Sequence, residues 1–586
     1  MSDHSPPTDE SGSPLVLVDG FSFRYRRATE FALRDISLTV EPGSVTLVAG
    51  PSGCGKSTLI RAINGLVPHA YPGEQHGDVL IRGRSTRELR LRDIARTVGT
   101  VLQDPARQIV GATVEAELAF GPENLGLPPA EIRWRLSTVA ARVGIEHLLG
   151  RETAALSGGE RQLVAVAGIL MMEPAVLVLD EPLANLDPAT ADRLVEILRR
   201  LVGDGRAVVL VEHRVEEALA LEPDRVLYLD AGRVAYEGPP AGFLRVADPA
   251  AVKLPFEVVL ERVRRMGGQA ASGPVDPGRL GDGAAARGSQ QPTEPPRLEF
   301  RAVDVALGER PVLRRLDARF GARETIAVLG PNGSGKTTLF RTAMRLVSVQ
   351  AGEVFVDGVS TRTRTVAELA TIFGFVFQSP SQMLFARTVR EELLFGPRNL
   401  GRAVGRETEL LARVLRQTML DGIEGILERP PLTLSFGQQK RLALAIALAL
   451  EPRTLVLDEP SAGQDYRTAR RFMAEVADIG GLESTYFITH DVDLALTHAD
   501  RILLLRDGQV VADGPPARVT EDEERWRACN LHVTSLMRAN ARWRMSEGRF
   551  LDAETLARRI VAQERSAGGL DDPVLDHRVP WIDRRE

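Results

Sequence analysis

The sequence predicts an α/β fold whose parallel-sheet unit occurs twice in one chain, and three observations predict it. Short apolar runs alternate with helical stretches, a glycine-rich loop lies between one such run and one such helix in each half, and the same motifs recur in the same order. Gly50-Pro51-Ser52-Gly53-Cys54-Gly55-Lys56-Ser57-Thr58 returns as Gly330-Pro331-Asn332-Gly333-Ser334-Gly335-Lys336-Thr337-Thr338, offset by 280 residues. Gln103-Asp-Pro returns as Gln378-Ser-Pro, Leu156-Ser157-Gly158-Gly159-Glu160 as Leu434-Ser435-Phe436-Gly437-Gln438, Asp180-Glu181-Pro182 as Asp458-Glu459-Pro460, and His213 as His490. The serine lies 23 residues before the aspartate in both halves. Common order and spacing identify a tandem duplication.

The elements follow in order. Val45–Ala49 and Thr325–Leu329 read as buried strands feeding the glycine loops, with helices over Thr58–Leu66 and Thr338–Leu346 behind them. Ala175–Leu179 and Thr454–Leu457 read as strands ending at acids, and Val208–Val211 and Tyr486–Ile488 as strands ending near histidine. The most apolar segments, Val164–Met172 and Leu442–Leu450, have the length of buried helices, well short of a membrane span. Strand–helix alternation implies a parallel sheet with chemistry at the strands' carboxyl ends. Beyond the duplicated part, Pro240–Met266, Glu521–Arg542 and Ala553–Glu564 have helical spacing.

At 586 residues the chain has room for about four modules at roughly 150 residues each. It is 44% hydrophobic and 26% charged, which excludes global disorder. A net charge of -6, from 73 basic and 79 acidic residues, argues against nucleic acid as a partner. Two cysteines, Cys54 and Cys529, make no disulfide framework and suit a reducing compartment. Met1–Pro14 is polar, lacks a signal-peptide core and reads as disordered. Gly267–Pro296, rich in Gly, Ala, Pro, Ser and Gln, reads as a flexible linker. The expected organisation is therefore 15–240 and 297–515 as the repeated domains, 241–296 as a short helical extension plus linker, and 516–586 as a C-terminal helical module.

Both glycine loops fit G-x-x-x-x-G-K-[ST]. Glycines let backbone N–H groups wrap phosphates, and the following helix presents its positive end to them. Lys56 and Lys336 place an ammonium on the outer phosphates, and Ser57 and Thr337 offer hydroxyls to Mg²⁺. The chain has only four lysines against 69 arginines, and two of the four stand in these loops. Two matches in register indicate ATP or GTP binding. Asp180 and Asp458 at strand tips suit Mg²⁺, and Glu181 and Glu459 after them suit activation of water.

Together, the glycine loop, the glutamine, the Leu-Ser-Gly-Gly-Glu or Leu-Ser-Phe-Gly-Gln signature, Asp-Glu-Pro and the late histidine resemble the ATP-binding-cassette (ABC) ATPases. The resemblance implies tandem RecA-like P-loop domains, each with a helical signature subdomain and an antiparallel β subdomain. It further implies head-to-tail pairing of the two cassettes, with each ATP between the glycine loop of one and the signature of the other. Ser157, Gly158 and Gly159, and Ser435, Phe436 and Gly437, are then expected at the γ-phosphate. Gln103 and Gln378 are expected at Mg²⁺ and the attacking water, and His213 and His490 at the γ-phosphate.

A narrower likeness follows each glutamine. Val101-Leu-Gln-Asp-Pro-Ala-Arg-Gln108 with Thr113–Gly126, and Val376-Phe-Gln-Ser-Pro-Ser-Gln382 with Thr388–Gly401, resemble the ATPase subunits of energy-coupling-factor importers, as does Val211-Glu-His-Arg214. That likeness implies ATP-driven import of a vitamin or a transition-metal cation such as cobalt or nickel. The implied partners are an integral transmembrane component and a separate substrate-binding membrane protein, gripped through 104–124 and 379–399 on the cytoplasmic face of a bacterial membrane. A soluble tandem cassette of the translation-factor type and a fused sugar-importer ATPase are the alternatives. Three positions depart from the family pattern: Arg214 after His213, Gln464 before Asp465, and Leu307 where Tyr25 offers an aromatic to adenine in the first half. No departure removes a catalytic group, so both sites are expected to hydrolyse, the second holding adenine more loosely.

Overall fold

The computed structural model describes residues 14–183, 186–266, 296–543 and 550–566. The polar start apart from Pro14, the linker apart from Pro296 and the end of the C-terminal module lie outside the described residues. Those described form two compact units, 14–258 and 259–566, with residues 465–467 grouped with the first.

In the first unit Val16–Tyr25 is the centre of an antiparallel sheet, flanked by Leu33–Val40 on one side and by Gly73–Ile81 and then Arg84–Ser85 on the other. Val16, Val18, Phe21 and Phe23 are fully buried although their spacing breaks between Val18 and Phe21. A register shift at that point returns the apolar side chains to the core face.

The second sheet has six strands in the order Arg233–Gly238, Arg225–Asp230, Val45–Ala49, Ala207–Val211, Val176–Asp180 and Val98–Val101. Every neighbouring pair is parallel except the first. Val45–Ala49 and Ala207–Val211 are buried at every position, which is why they read as unbroken apolar runs. Their alignment puts the glycine loop, Asp180 and His213 at neighbouring strand ends. The helices Val114–Leu125, Pro129–Val143 and Gly158–Leu170 make up the helical part.

The second unit repeats both topologies. Leu298–Leu307 pairs with Arg310–Phe320 and Ala351–Val356, and Val359–Ser360 lies at the edge. Its six-stranded sheet runs Phe373–Val376, Thr454–Asp458, Ser484–Ile488, Thr325–Leu329, Arg501–Arg506 and Gln509–Gly514.

Three helical expectations shift. The loop helices span Lys56–Ile63 and Lys336–Ala343, starting two residues early because Gly55 and Gly335, in left-handed conformation, are the caps. The first stops early at Asn64, before left-handed Gly65. Pro240–Met266 divides into Pro240–Val246 and Phe256–Arg265 around a segment containing Pro249 and Pro255. Glu521–Arg542 divides into Glu523–Ala528 and Ser535–Arg542, broken at Asn530 (φ 53°) and restarted where Thr534 caps the second helix.

The C-terminal helices share the second unit's core. Trp526 is completely buried with Cys529, Leu531 and Met537, and its indole N–H donates to the Val519 carbonyl at 2.7 Å. The unit begins at Val259, inside Phe256–Arg265, whose Arg264 pairs with Glu564 of Ala553–Ser566. Trp526→Ala should destabilise the second unit by about 3–5 kcal/mol. Urea unfolding measures this; an unchanged midpoint would mean that these helices are not part of the core.

Candidate active site

The glycine loops are fixed by close backbone approach. A Cβ on Gly50 (φ 148°) would lie 2.3 Å from the Leu229 carbonyl oxygen, and one on Gly330 (φ 149°) 2.0 Å from that of Leu505. Each lysine folds over its own loop. Lys56 Nζ donates to the carbonyls of Gly50 and Pro51 at 2.8 and 2.9 Å, and Lys336 Nζ to those of Gly330 and Pro331 at 2.7 and 2.9 Å. Both lysines are buried, so each ammonium is held at the mouth of a helix N-terminus where anionic oxygens are stabilised. Ser334 Oγ and Asn332 Nδ2 are buried with no hydrogen-bond partner among the described residues. Ammonium, hydroxyl, amide and helix end together fit a polyphosphate.

Thr337 Oγ1 donates to both carboxylate oxygens of Asp458, at 3.2 and 2.9 Å. Burial raises the Asp458 carboxyl above its ordinary range against the pull of Thr337, Arg341 and Lys336. Burial, and then the charge of Glu181, pushes Asp180 to about 6 against Ser57, Lys56 and His213. In each unit, then, a crowded carboxyl beside a hydroxyl forms an oxygen-only set. That set suits a small hard cation which keeps waters and phosphate oxygens as its other ligands.

Glu181 and Glu459 have positive φ, 49° and 52°, a conformation that costs a non-glycine residue about 1–3 kcal/mol. Both backbone N–H groups continue the parallel ladder, donating at 2.9 Å to Val211 and Ile488. Each carboxylate is thereby turned onto the late histidine: His213 Nε2 lies 2.8 Å from Glu181 Oε1, and His490 Nε2 3.1 Å from Glu459 Oε1. Burial raises the Glu181 carboxyl, but hydrogen bonds from His213 and Gln103 and the charges of His213 and Lys56 outweigh it. The net effect is a carboxylate held ionised, the state a general base needs.

The histidines, expected at the γ-phosphate, thus sit on the glutamates here. Gln103, expected at Mg²⁺ and water, donates from Nε2 to Glu181 Oε2 at 2.7 Å, whereas Gln378 is exposed. Tyr25 lies beside the first glycine loop: its hydroxyl is 3.1 Å from Thr58 Oγ1 and accepts from Arg61 at 2.8 Å. Leu307 is half exposed at a strand end.

Each signature is a capping box. Ser157 N–H donates to Glu160 Oε2 at 2.7 Å while Glu160 N–H donates to Ser157 Oγ at 3.3 Å; Ser435 and Gln438 do the same at 3.0 and 3.4 Å. The acid or amide three residues after the serine is therefore a structural requirement of the helix start. Gly158, Ser435 and Phe436 are exposed there.

Glu212 escaped the sequence reading. It is buried, its oxygens accept the backbone N–H groups of Leu183 (2.8 Å) and His213 (3.2 Å), and burial together with the Glu181 charge pushes its carboxyl to about 8. Its only signal was its place beside His213, which marks chemistry as readily as support.

Glu181→Gln with Glu459→Gln should lower steady-state ATP hydrolysis by about 10²–10⁴-fold while ATP still binds; near-wild-type turnover would refute the assignment. Glu212 keeps a proton in the folded chain that the unfolded chain loses near pH 4.5, so stability declines as pH rises from there to about 8. Glu212→Gln preserves an acceptor for Leu183 and should flatten that decline in denaturant titrations from pH 5 to 8. Parallel curves for the two proteins would contradict the protonated state.

The pattern of the ABC transporter family matches residues 33–184 and 313–462. An ABC transporter ATP-binding protein of Methanosarcina mazei is 35% identical over 551 residues, covering 89% of this chain and 92% of its own. Proteins of the same name from Methanosarcina acetivorans (34% over 552 residues, 89% of each chain) and Streptococcus mutans (33% over 533 residues, 89% and 95%) are similar over comparable spans. The solved structure of cbiO1 from Clostridium perfringens, part of the ABC transporter complex cbiONQ, matches at 29% identity with a TM-score of 0.36, covering 40% of this chain and 95% of its own. With both halves matched and relatives aligned along most of its length, the chain belongs to the ABC transporter family as an ATP-binding protein with two ATP-hydrolysing domains.

Proposed function

We propose that the chain is the ATPase subunit of an energy-coupling-factor-type importer for a vitamin or a transition-metal cation, bound to the cytoplasmic face of a bacterial membrane. One observation carries the membrane-partner part of this reading. The segments after Gln103 and Gln378 each expose a pair of large apolar side chains at matching places: Val110 and Phe120 in the first unit, Phe385 and Phe395 in the second, all more than half exposed. Phe385 and Phe395 meet edge to face with centroids 4.8 Å apart, a preformed aromatic ridge. Apolar patches of this kind mark contact sites. Among the described residues no helix is long and apolar enough to cross a membrane, so contact with a membrane component falls to such surfaces. The energy-coupling-factor subtype and the cargo class rest on the sequence around these same segments.

In this reading ATP lies on each glycine loop, and the signature of the other cassette completes each site in a head-to-tail pair. Backbone N–H groups and Lys56 or Lys336 hold the phosphates. Mg²⁺, which Ser57, Gln103 and Asp180 or Thr337, Gln378 and Asp458 would hold, supplies charge neutralisation for the phosphoryl oxygens. Glu181 and Glu459 accept the proton of the attacking water, and His213 and His490 hold those carboxylates in place. The exposed helix start at Ser157 or Ser435 offers N–H groups to the γ-phosphate. Tyr25 stacks adenine at the first site.

Phe120→p-benzoylphenylalanine and Phe395→p-benzoylphenylalanine, introduced separately and photolysed in native membranes, should cross-link the chain to an integral membrane protein. Cross-links confined to ribosomal protein or RNA would instead support the translation-factor type.

A further inference from the structure

The signature helix of the second unit, Phe436–Ala449, contains a lysine for which the reaction described above has no use. Lys440 is 1% exposed, and its Nζ donates to three backbone carbonyls: Glu459 at 3.3 Å, Pro460 at 2.6 Å and Ala462 at 2.9 Å. An ammonium has three donors and no acceptor, so these carbonyls satisfy it completely. Burial lowers its pKa to about 7 against the pull of the Glu459 charge. Burying an ammonium against carbonyl dipoles alone is costly. What it secures is the backbone from Glu459 to Ala462, beginning at the residue held at positive φ.

A second contact joins the same two segments. Phe436 lies against Gly463 (φ 67°), where a Cβ would come within 2.7 Å of the ring, and Lys440 Nζ is 5.9 Å from the ring centroid. The phenylalanine in the signature and the glycine four residues after Glu459 are therefore complementary. The first unit is built differently. Gln162 stands five residues after Ser157, as Lys440 does after Ser435, and its buried Nε2 has no partner among the described residues. Glu181 is instead held by the Gln103 amide.

We propose that Lys440 is a positioning residue for Glu459, tying the base of the second site to its own signature helix, a tie with no counterpart among the described residues of the first cassette. The inference rests on Glu459 being the base. Removing the tether should misplace the carboxylate without touching the glycine loop, and small misplacements cost up to about 10²-fold in rate.

The test is steady-state hydrolysis of MgATP by the full chain carrying Glu181→Gln, so that turnover reports the second site, with ATP binding measured separately. In that parent Lys440→Met, similar in length but without donors, should lower kcat by about tenfold or more with KM and ATP affinity within about twofold of the parent's. Lys440→Gln, the first cassette's residue, should recover part of the loss and carries the same test if the methionine variant does not fold. Adding Lys440→Met to the chain with Glu459→Gln alone, whose first site keeps its base, should give no further loss, because the tether acts only through that carboxylate. Gln162→Met should change the parent's kcat by less than about twofold. The parent's kcat in folded Lys440→Met, equal loss of ATP binding and turnover, an additive loss on Glu459→Gln, or an equal effect of Gln162→Met would each overturn the proposal. Turnover at the parent's rate after Glu459→Gln is added to it is a different result, contradicting the assignment of the base.

Discussion

The site depends on one backbone hydrogen bond made twice. The N–H of Glu181 donates to Val211, and that of Glu459 to Ile488, carrying each parallel ladder one residue beyond the aspartate at the strand tip. To make that bond the glutamate must enter the left-handed region, and the turn this forces aims its carboxylate at the histidine on the neighbouring strand end. The strained conformation is tolerable because the pairing strands are buried on both faces and cannot relax independently. Sheet order therefore decides chemistry here. The strand bearing the acid lies beside the strand bearing the histidine, which lies beside the strand feeding the phosphate loop.

On this shared frame the halves have diverged in how the base is supported. In the first, Gln103 and His213 hold the Glu181 carboxylate, and buried Glu212 holds the backbone of Leu183 just beyond it. In the second, Thr489 replaces Glu212 and lies 3.5 Å from Ser461 in place of Leu183, while Lys440 grips the chain from below. A carboxyl acceptor for two N–H groups has been exchanged for an ammonium donor to three carbonyls. Both solutions immobilise the segment after the base, but they connect it to different neighbours: the strand before His213 in one case, the signature helix in the other.

Much of this was legible in the sequence because phosphate chemistry constrains residue type and spacing together. The strands around the glycine loops fell within a residue or two of their expected limits, since their buried middles are unbroken apolar runs and only polar ends such as Asp180, Asp458 and Ser484 lay outside them. Helix limits were less legible. Whether Lys56 begins a helix depends on the conformation of Gly55, and whether Glu521–Arg542 is one helix or two depends on Asn530; composition reports neither. The contacts that Gln103 and the histidines make here were not legible for a different reason. Their side-chain types suit phosphate and carboxylate alike, and only packing places them on the glutamates. Glu212 and Lys440 look like ordinary surface charges in a row of letters. Their function became visible only when burial and the direction of their hydrogen bonds were known.

Both cassettes of the one chain carry a complete phosphate loop and so each should bind ATP. Equilibrium dialysis of labelled ATP with Mg²⁺ against the chain carrying Glu181→Gln and Glu459→Gln measures this without turnover. Two ATP per chain are expected, falling to one when either Lys56→Ala or Lys336→Ala is added. One ATP per chain before either lysine is removed would contradict it.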